Sequence, residues 1–218
     1  MATIDVTIKI LSPIHLGSGQ ANVNIDADIV RDEFGFPYFP GKRFKGLLYE
    51  SAVEVVEMFA LSGLAAEKSS PLEKIFHRQS NSGVRLVVPN FYILPAAEYE
   101  TFCAEWKYLQ WYYPEIFTAT DVLNAFTSLR YQTRLENGTA SKMSLRNLRV
   151  LDAGTEFFGT MTLLNADEKI RDLLALAIKN LQAAGTKRNR GFGRIKCAAS
   201  FDGTDSDALV RKILAKVA

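Results

Sequence analysis

Two cysteines and two histidines are all the thiol and imidazole in this 218-residue chain. Cys103 and Cys197 stand far apart in sequence. That excludes a thiolate zinc site and a disulfide scaffold, and it fits a reducing, cytoplasmic location. His15 and His77 alone do not build a histidine-rich metal cage or a paired-histidine ribonuclease site. No apolar run approaches the ~20 residues that span a bilayer. The opening stretch MATIDVTIKIL alternates rather than forming a signal-peptide core, so no membrane association is expected. An excess of one charge is also missing: 26 Lys and Arg face 24 Asp and Glu, for a net charge of +2. What remains is ordinary globular composition, 48% apolar and 23% charged, at the length of one elaborated domain.

The charges are segregated. Cations gather in Gly41-Lys42-Arg43-Phe44-Lys45-Gly46, between Arg130 and Arg149, and in Gly185-Thr186-Lys187-Arg188-Asn189-Arg190-Gly191-Phe192-Gly193-Arg194. Acids collect at 54–67, 98–105 and 202–207. A nearly neutral chain arranged this way can present one strongly positive face. A solvated surface accounts for any single run of charge. Three runs that each adjoin a glycine turn ask for more, since cations are not needed to close a turn.

Hydrophobic periodicity gives a coarse set of elements. Residues 3–11 alternate as a half-buried strand, with Ile4, Val6, Ile8 and Ile10 on one face. Short extended segments follow from 22 to 38, turning at Asp32–Gly35, then a helix over about 43–61 that stops at Gly63. Residues 62–83 read as loop and 84–94 as a strand. A helix over about 96–111 leads into a dense group of aromatics, Trp106, Tyr108, Trp111, Tyr112 and Tyr113. Their helical spacing suggests core packing rather than a base-stacking platform. Residues 129–150 lack a clean period and carry a sharp Asn137-Gly138 turn, which suits a hairpin or ordered loop. A strand at 155–163, an amphipathic helix at 167–184, a strand at 192–198 and a helix at 206–217 complete the chain. The core order is strand, helix, strand, strand, helix, strand. This predicts an α+β, ferredoxin-like βαββαβ fold, the order also of RNA-recognition sheets.

Glycine turns at His15–Gly19, Gly41–Gly46 and Gly185–Gly193 fall after the first strand, before the first helix and between the last helix and the last strand. In such a fold they can converge on one rim of the sheet, where backbone N–H groups and neighbouring cations suit a sugar–phosphate chain. At these residues a family emerges. The segment from Gly185 to Ile195 resembles the C-terminal Gly-rich loop of the RAMP superfamily of CRISPR proteins. Further segments are similar to the backbone-forming subunits of type III effector complexes. They are His15-Leu16-Gly17-Ser18-Gly19, Ile25-Asp26-Ala27-Asp28-Ile29-Val30-Arg31-Asp32 and the stretch from Pro37 to Leu47. Residues 133–157 resemble the family's thumb. The resemblance implies a single RAMP domain over 1–218, with its core at about 1–61, 84–94 and 155–201. A helical and loop insertion would occupy about 62–125, a protruding thumb hairpin about 128–150 and a C-terminal helix about 205–217.

The resemblance further implies a subunit that polymerises along a guide CRISPR RNA beside other copies of itself and other RAMP subunits. It would kink the duplex formed with a target RNA and, in cleaving members, cut that target with Mg²⁺ or Mn²⁺. Expected RNA contacts are His15, Gly17, Ser18, Gly19, Lys42, Arg43, Lys45, Arg134, Lys142, Arg146, Lys187, Arg188 and Arg190. Asp26 holds the family's catalytic position, as a metal ligand or as a group that helps deprotonate the attacking 2′-OH. Small or turn-forming residues usually follow it, so Asp28 is either a second carboxylate of the site or the mark of a rebuilt loop. Two alternatives stand beside this reading: a non-cleaving backbone or capping paralogue, and a metal-independent guide-processing nuclease that uses His15.

Overall fold

The protein is described by a computed structural model, covering residues 1–21, 25–63, 70–76 and 83–217. β1 (Ala2–Ile10) places Ile4, Val6, Ile8 and Ile10 against the helices and leaves Thr3, Asp5 and Lys9 outward, as its alternation requires. It is the centre of an antiparallel sheet, flanked by β7 (Glu156–Leu164) and β8 (Ile195–Phe201). β2 (Arg85–Val87) pairs with the far side of β7. The order β2-β7-β1-β8 is that of a ferredoxin-like split βαβ sheet, with a short β9 (Thr204–Asp205) added at the β8 edge.

One face of this sheet is covered by α1 (Gly41–Leu61), α5 (Glu168–Asn180) and α6 (Ser206–Val217). The α1 and α5 helices are tied across their contact by the Ser51 hydroxyl, which donates to the Ala177 carbonyl at 2.8 Å. Beneath α1 sits a fully buried ring cluster of Phe39, Phe44, Phe91 and Phe157. Gly159 is what lets Phe91 pack closely on β7, since a Cβ there would come within 2.5 Å of the ring. Among the described residues no helix is long and apolar enough to cross a membrane.

Several expectations are corrected. The stretch read as loop over 62–83 contains α2 (Ser70–Phe76); residues 64–69 and 77–82 lie outside the described set, His77 with them. The strand expected over 84–94 shrinks to β2, because Pro89 has no N–H to give a ladder. Beyond it Phe91 and Tyr92 only bridge to Phe39 and Phe158. The helix expected to reach residue 184 ends at Asn180, where the chain extends so that Ala183 can pair with Arg194. The last strand accordingly begins at Ile195.

The aromatic group is the largest correction. The helix α3 (Ala96–Tyr112) has no buried residue. Trp106 packs against Phe36, Phe102 and Phe117, but Tyr108, Trp111, Tyr112 and Tyr113 face out. The helix carries two aromatic stripes, and only one of them meets the body of the protein.

After α4 (Ala119–Phe126), the chain enters a separate two-stranded ladder, β3 (Thr127–Gln132) against β6 (Arg146–Leu151). Between them lies a smaller hairpin, β4 (Leu135–Glu136) and β5 (Thr139–Ala140). Asn137 and Gly138 at its turn both have positive φ, 51° and 81°, as a tight two-residue hairpin turn requires. Its outer half is solvent-covered: Leu135 and Leu145 are each 65% exposed and Met143 is 99% exposed. The segment thus projects, as its lack of a core-facing period suggested.

Gly193 has φ of 78°, and a Cβ there would meet the Ala184 carbonyl oxygen at 2.0 Å. Gly193→Ala is therefore expected to lower stability by about 2 kcal/mol or more in chemical denaturation, with Gly191→Ala, whose Cβ would meet open space, costing less.

Candidate nucleic-acid interface

The Gly-rich turns, far apart in sequence, meet at one end of the β1–β8 pair. Leu11 N–H donates to the Arg194 carbonyl at 2.8 Å, Gly193 N–H to Pro13 at 2.9 Å, and Thr186 N–H to His15 at 3.3 Å. Gly185 is packed so closely that a Cβ would lie 2.8 Å from the His15 carbonyl oxygen. From the first turn of α1, the Arg43 guanidinium donates to the Gly17 carbonyl. The expected convergence of the three turns is thus built from backbone hydrogen bonds and one arginine.

The cations around this junction differ in what they are free to do. Lys42 and Arg190 are exposed and have no ion pair among the described residues. Arg188 makes a loose contact with Glu50 on α1, 3.3 Å, and Lys187 donates to Gln132 on β3, joining the C-terminal loop to the hairpin root. Arg43 is spent in part on Gly17. Lys45 is turned away from the junction: half-buried, it donates to the Leu86 carbonyl at 3.0 Å. Burial, with nearby Arg85 adding, pushes its ammonium below the ordinary lysine value. Arg134 and Lys142 lie out on the hairpin, Arg134 beside Glu136 at 3.4 Å. Ser18 and Gly19 stay near the surface, and the Ser18 hydroxyl donates to the Asp28 carbonyl at 3.1 Å.

His15 is only 7% exposed. Its Nδ1–H donates to the Arg149 carbonyl at 2.7 Å, and its Nε2 lies over Gly17, where a Cβ would approach to 2.6 Å. The ring fastens the glycine turn to β6, and little of it reaches the surface.

Asp26 and Asp28 are separated by environment. The chain over 26–28 runs parallel to β6: Ala27 bridges Leu148, and Arg149 N–H donates to the Ala27 carbonyl at 3.0 Å. Asp28 is buried, its carboxylate 3.1 Å from the Arg149 Nε, and that guanidinium also donates to Asn124 and Thr127 at 2.8 Å each. Of the two earlier options for Asp28, the geometry matches a rebuilt loop held by a buried ion pair.

Asp26 is exposed and latched reciprocally to Asn147. Its N–H donates to the Asn147 Oδ1, and its Oδ2 accepts the Asn147 N–H, both at 2.8 Å. Arg146 approaches Oδ1 at 3.3 Å. The Asn147 amide, seconded by Arg146 and opposed by partial desolvation, holds the Asp26 carboxyl below the usual carboxylate value. The carboxylate's share of the latch is therefore complete above about pH 3.8, the ordinary Asp value, and is lost only as pH falls through the lower folded one. Two hydrogen bonds do not exhaust a carboxylate, which has roughly four lone-pair positions. Asp26 can thus offer one ligand to a largely hydrated cation. Asp28 does not fit that role, and no cluster of three or more metal-ligating side chains occurs among the described residues. Sequence reading missed Arg149 and Asn147; an arginine inside the apolar run Leu148-Arg149-Val150 was the available signal.

A model of the RAMP superfamily matches residues 7–196. The chain belongs to the RAMP superfamily. Two solved chains are similar in fold. One comes from the type III-B Cmr-beta complex bound to cognate target RNA, with TM-score 0.58, 13% identity, and coverage of 95% of this chain and 98% of that one. The other is from the apo state of Cmr-beta, with TM-score 0.58, 14% identity, and coverage of 89% and 96%. No curated protein matches the sequence.

Within this RAMP fold, removing one partner of the buried pair should be costly. Asp28→Ala is expected to lose about 3 kcal/mol in denaturant unfolding. Asp26→Asn, which keeps an oxygen for the Asn147 N–H, should stay within about 0.5 kcal/mol of the parent. Equal effects would show that the two carboxylates share one environment.

Proposed function

We propose that this protein is a guide-RNA-binding backbone subunit of a type III-like CRISPR effector complex, and that Asp26 equips it to cleave the paired target RNA. The observation that carries the reading is the junction of glycine turns with exposed Lys42 and Arg190, the loosely held Arg188 and the hairpin root. Exposed cations grip phosphates without reading bases, as a subunit must if it serves guides of any sequence. Arg130, Gln132 and Arg146 share one face of the hairpin, because Gln132 stands opposite Arg146 and Arg130 opposite Leu148. With Lys187 attached to Gln132, that face continues the grip. The exposed tip residues Leu135, Met143 and Leu145 suit insertion between bases.

In the cleavage step the target's 2′-oxygen attacks the adjacent phosphorus and loses its proton. The bond to the 5′-oxygen breaks, and that oxygen takes up a proton, leaving a 2′,3′-cyclic phosphate. A carboxyl held below its ordinary pKa is a weak base. Of its two candidate roles, Asp26 is better suited to holding a divalent ion, with RNA phosphates and water as the other ligands. Mg²⁺ or Mn²⁺ bound there would supply Lewis acidity at the phosphate.

The non-cleaving backbone reading has one observation in its favour, the engagement of Asp26 by Asn147 and Arg146. Burial of His15 argues against the guide-processing nuclease.

Asp26→Asn should abolish most target cutting in the assembled complex while RNA affinity stays within about twofold; unchanged cutting would leave the non-cleaving reading. Lys42→Ala, Arg188→Ala and Arg190→Ala should each weaken binding of single-stranded RNA equally for all sequences. Each should lower the magnitude of the salt slope by about 0.7. Sequence-selective loss would point to base reading.

A further inference from the structure

The chain holds six sulfur atoms, in four methionines and two cysteines, and their surroundings differ widely. Cys103 is half-buried and Cys197 buried. Burial pushes both thiols up, that of Cys197 to about 12, so neither supplies the thiolate that oxidants attack. A thioether has no proton to lose, and its reactivity follows its exposure. Met161 is fully buried in β7 and Met58 on α1 is 51% exposed. Met1, 89% exposed, precedes β1 at the end away from the glycine junction. Met143, 99% exposed, stands on the hairpin tip.

Met143 is held out on a built turn. Its φ of 54° lies in the left-handed region that side chains other than glycine seldom adopt. The Ser144 hydroxyl fixes that conformation: it donates to the Ser141 carbonyl at 2.7 Å, accepts the Arg134 N–H at 3.1 Å and meets the Thr133 hydroxyl at 2.7 Å. Ser141 N–H closes back on the Arg134 carbonyl at 2.9 Å. A strained backbone that carries an apolar side chain into open solvent gains nothing inside the chain, so its use lies outside it.

We propose that Met143 is a site of reversible oxidation, where a peroxide turns the hairpin tip from apolar to polar and loosens its hold on RNA. In the forward step one peroxide oxygen passes to the thioether sulfur. The S–O bond forms as the O–O bond breaks, the sulfur gives up two electrons, and the peroxide is reduced to water. In the reverse step a thiol-dependent reductase removes that oxygen as water while two thiols become a disulfide. The RNA consequence rests on the proposed backbone reading; the chemistry at sulfur does not. A sulfoxide must shed water before it enters a base stack, whereas a thioether has little to shed. Phosphate contacts are untouched by the change. Oxidation therefore lowers affinity and leaves its salt dependence as it was.

The test exposes full-length protein briefly to dilute hydrogen peroxide and locates the added oxygen by peptide mass analysis. Met143 is expected to oxidise before Met58, alongside Met1, with Met161 and both cysteines unchanged. Treated wild type should bind single-stranded RNA about fivefold more weakly with the same salt slope. Methionine sulfoxide reductases A and B, supplied with dithiothreitol, should restore it. Met143→Leu keeps an apolar tip and should bind as wild type with or without peroxide. Untreated Met143→Gln should bind as oxidised wild type does. Oxidation of Met58 ahead of Met143 overturns the proposal, as does Met143 oxidised with no change in affinity. A peroxide effect that persists in Met143→Leu, or one that lowers the salt slope, places the sensitive group elsewhere and overturns it too. Untreated wild type that binds no RNA would sink the backbone reading, and the RNA consequence of this oxidation with it.

Discussion

The buried guanidinium of Arg149 is the interaction on which the candidate site depends. It is 3.1 Å from the Asp28 carboxylate and donates to Asn124 and Thr127, while its backbone carbonyl takes the Nδ1–H of His15. One residue thereby joins the hairpin root, the loop carrying Asp26, the end of α4 and the first glycine turn. A charge so buried is stable only with its partners in place. The geometry around it is therefore set jointly: Asp28 fixes the run of 26–28 beside β6, and that run brings Asp26 to Asn147.

From this node outward the division of labour is physical. Residues that build the junction are buried or spoken for: His15, Asp28, Arg149, and Arg43 at the Gly17 carbonyl. Residues left with exposed charge surround it: Lys42, Arg190 and the loosely paired Arg188. Glycine is required where backbones cross, most plainly at Gly185 and Gly193, whose positive φ and close carbonyl neighbours leave no room for a Cβ. The resulting surface offers phosphates exposed cations in a frame fixed by backbone hydrogen bonds, which suits a sequence-blind grip.

Much of the fold was legible because it rests on local periodicity. The alternation of β1 and the stripe of α5 gave the central sheet and its cover, and Asn137-Gly138 gave the hairpin turn. Two kinds of information were not local. The α3 aromatics share a helical period whether they face the core or solvent, so spacing alone did not tell Trp106 from Trp111. Side-chain pairing across the chain was equally hidden: Asp26 and Asp28 look alike in sequence, and only the distant Arg149 and Asn147 set them apart. Lys45 illustrates the same limit, since its place beside Arg43 gave no sign that it turns to Leu86.

The central claim is that the glycine junction grips RNA by its backbone. It is tested most directly by isolating the protein from its native host and sizing and sequencing the RNA that accompanies it. The account predicts short RNAs of a few discrete lengths whose interior sequences are diverse. Protein that emerges free of RNA, or bound to one RNA of a single defined sequence, would contradict it.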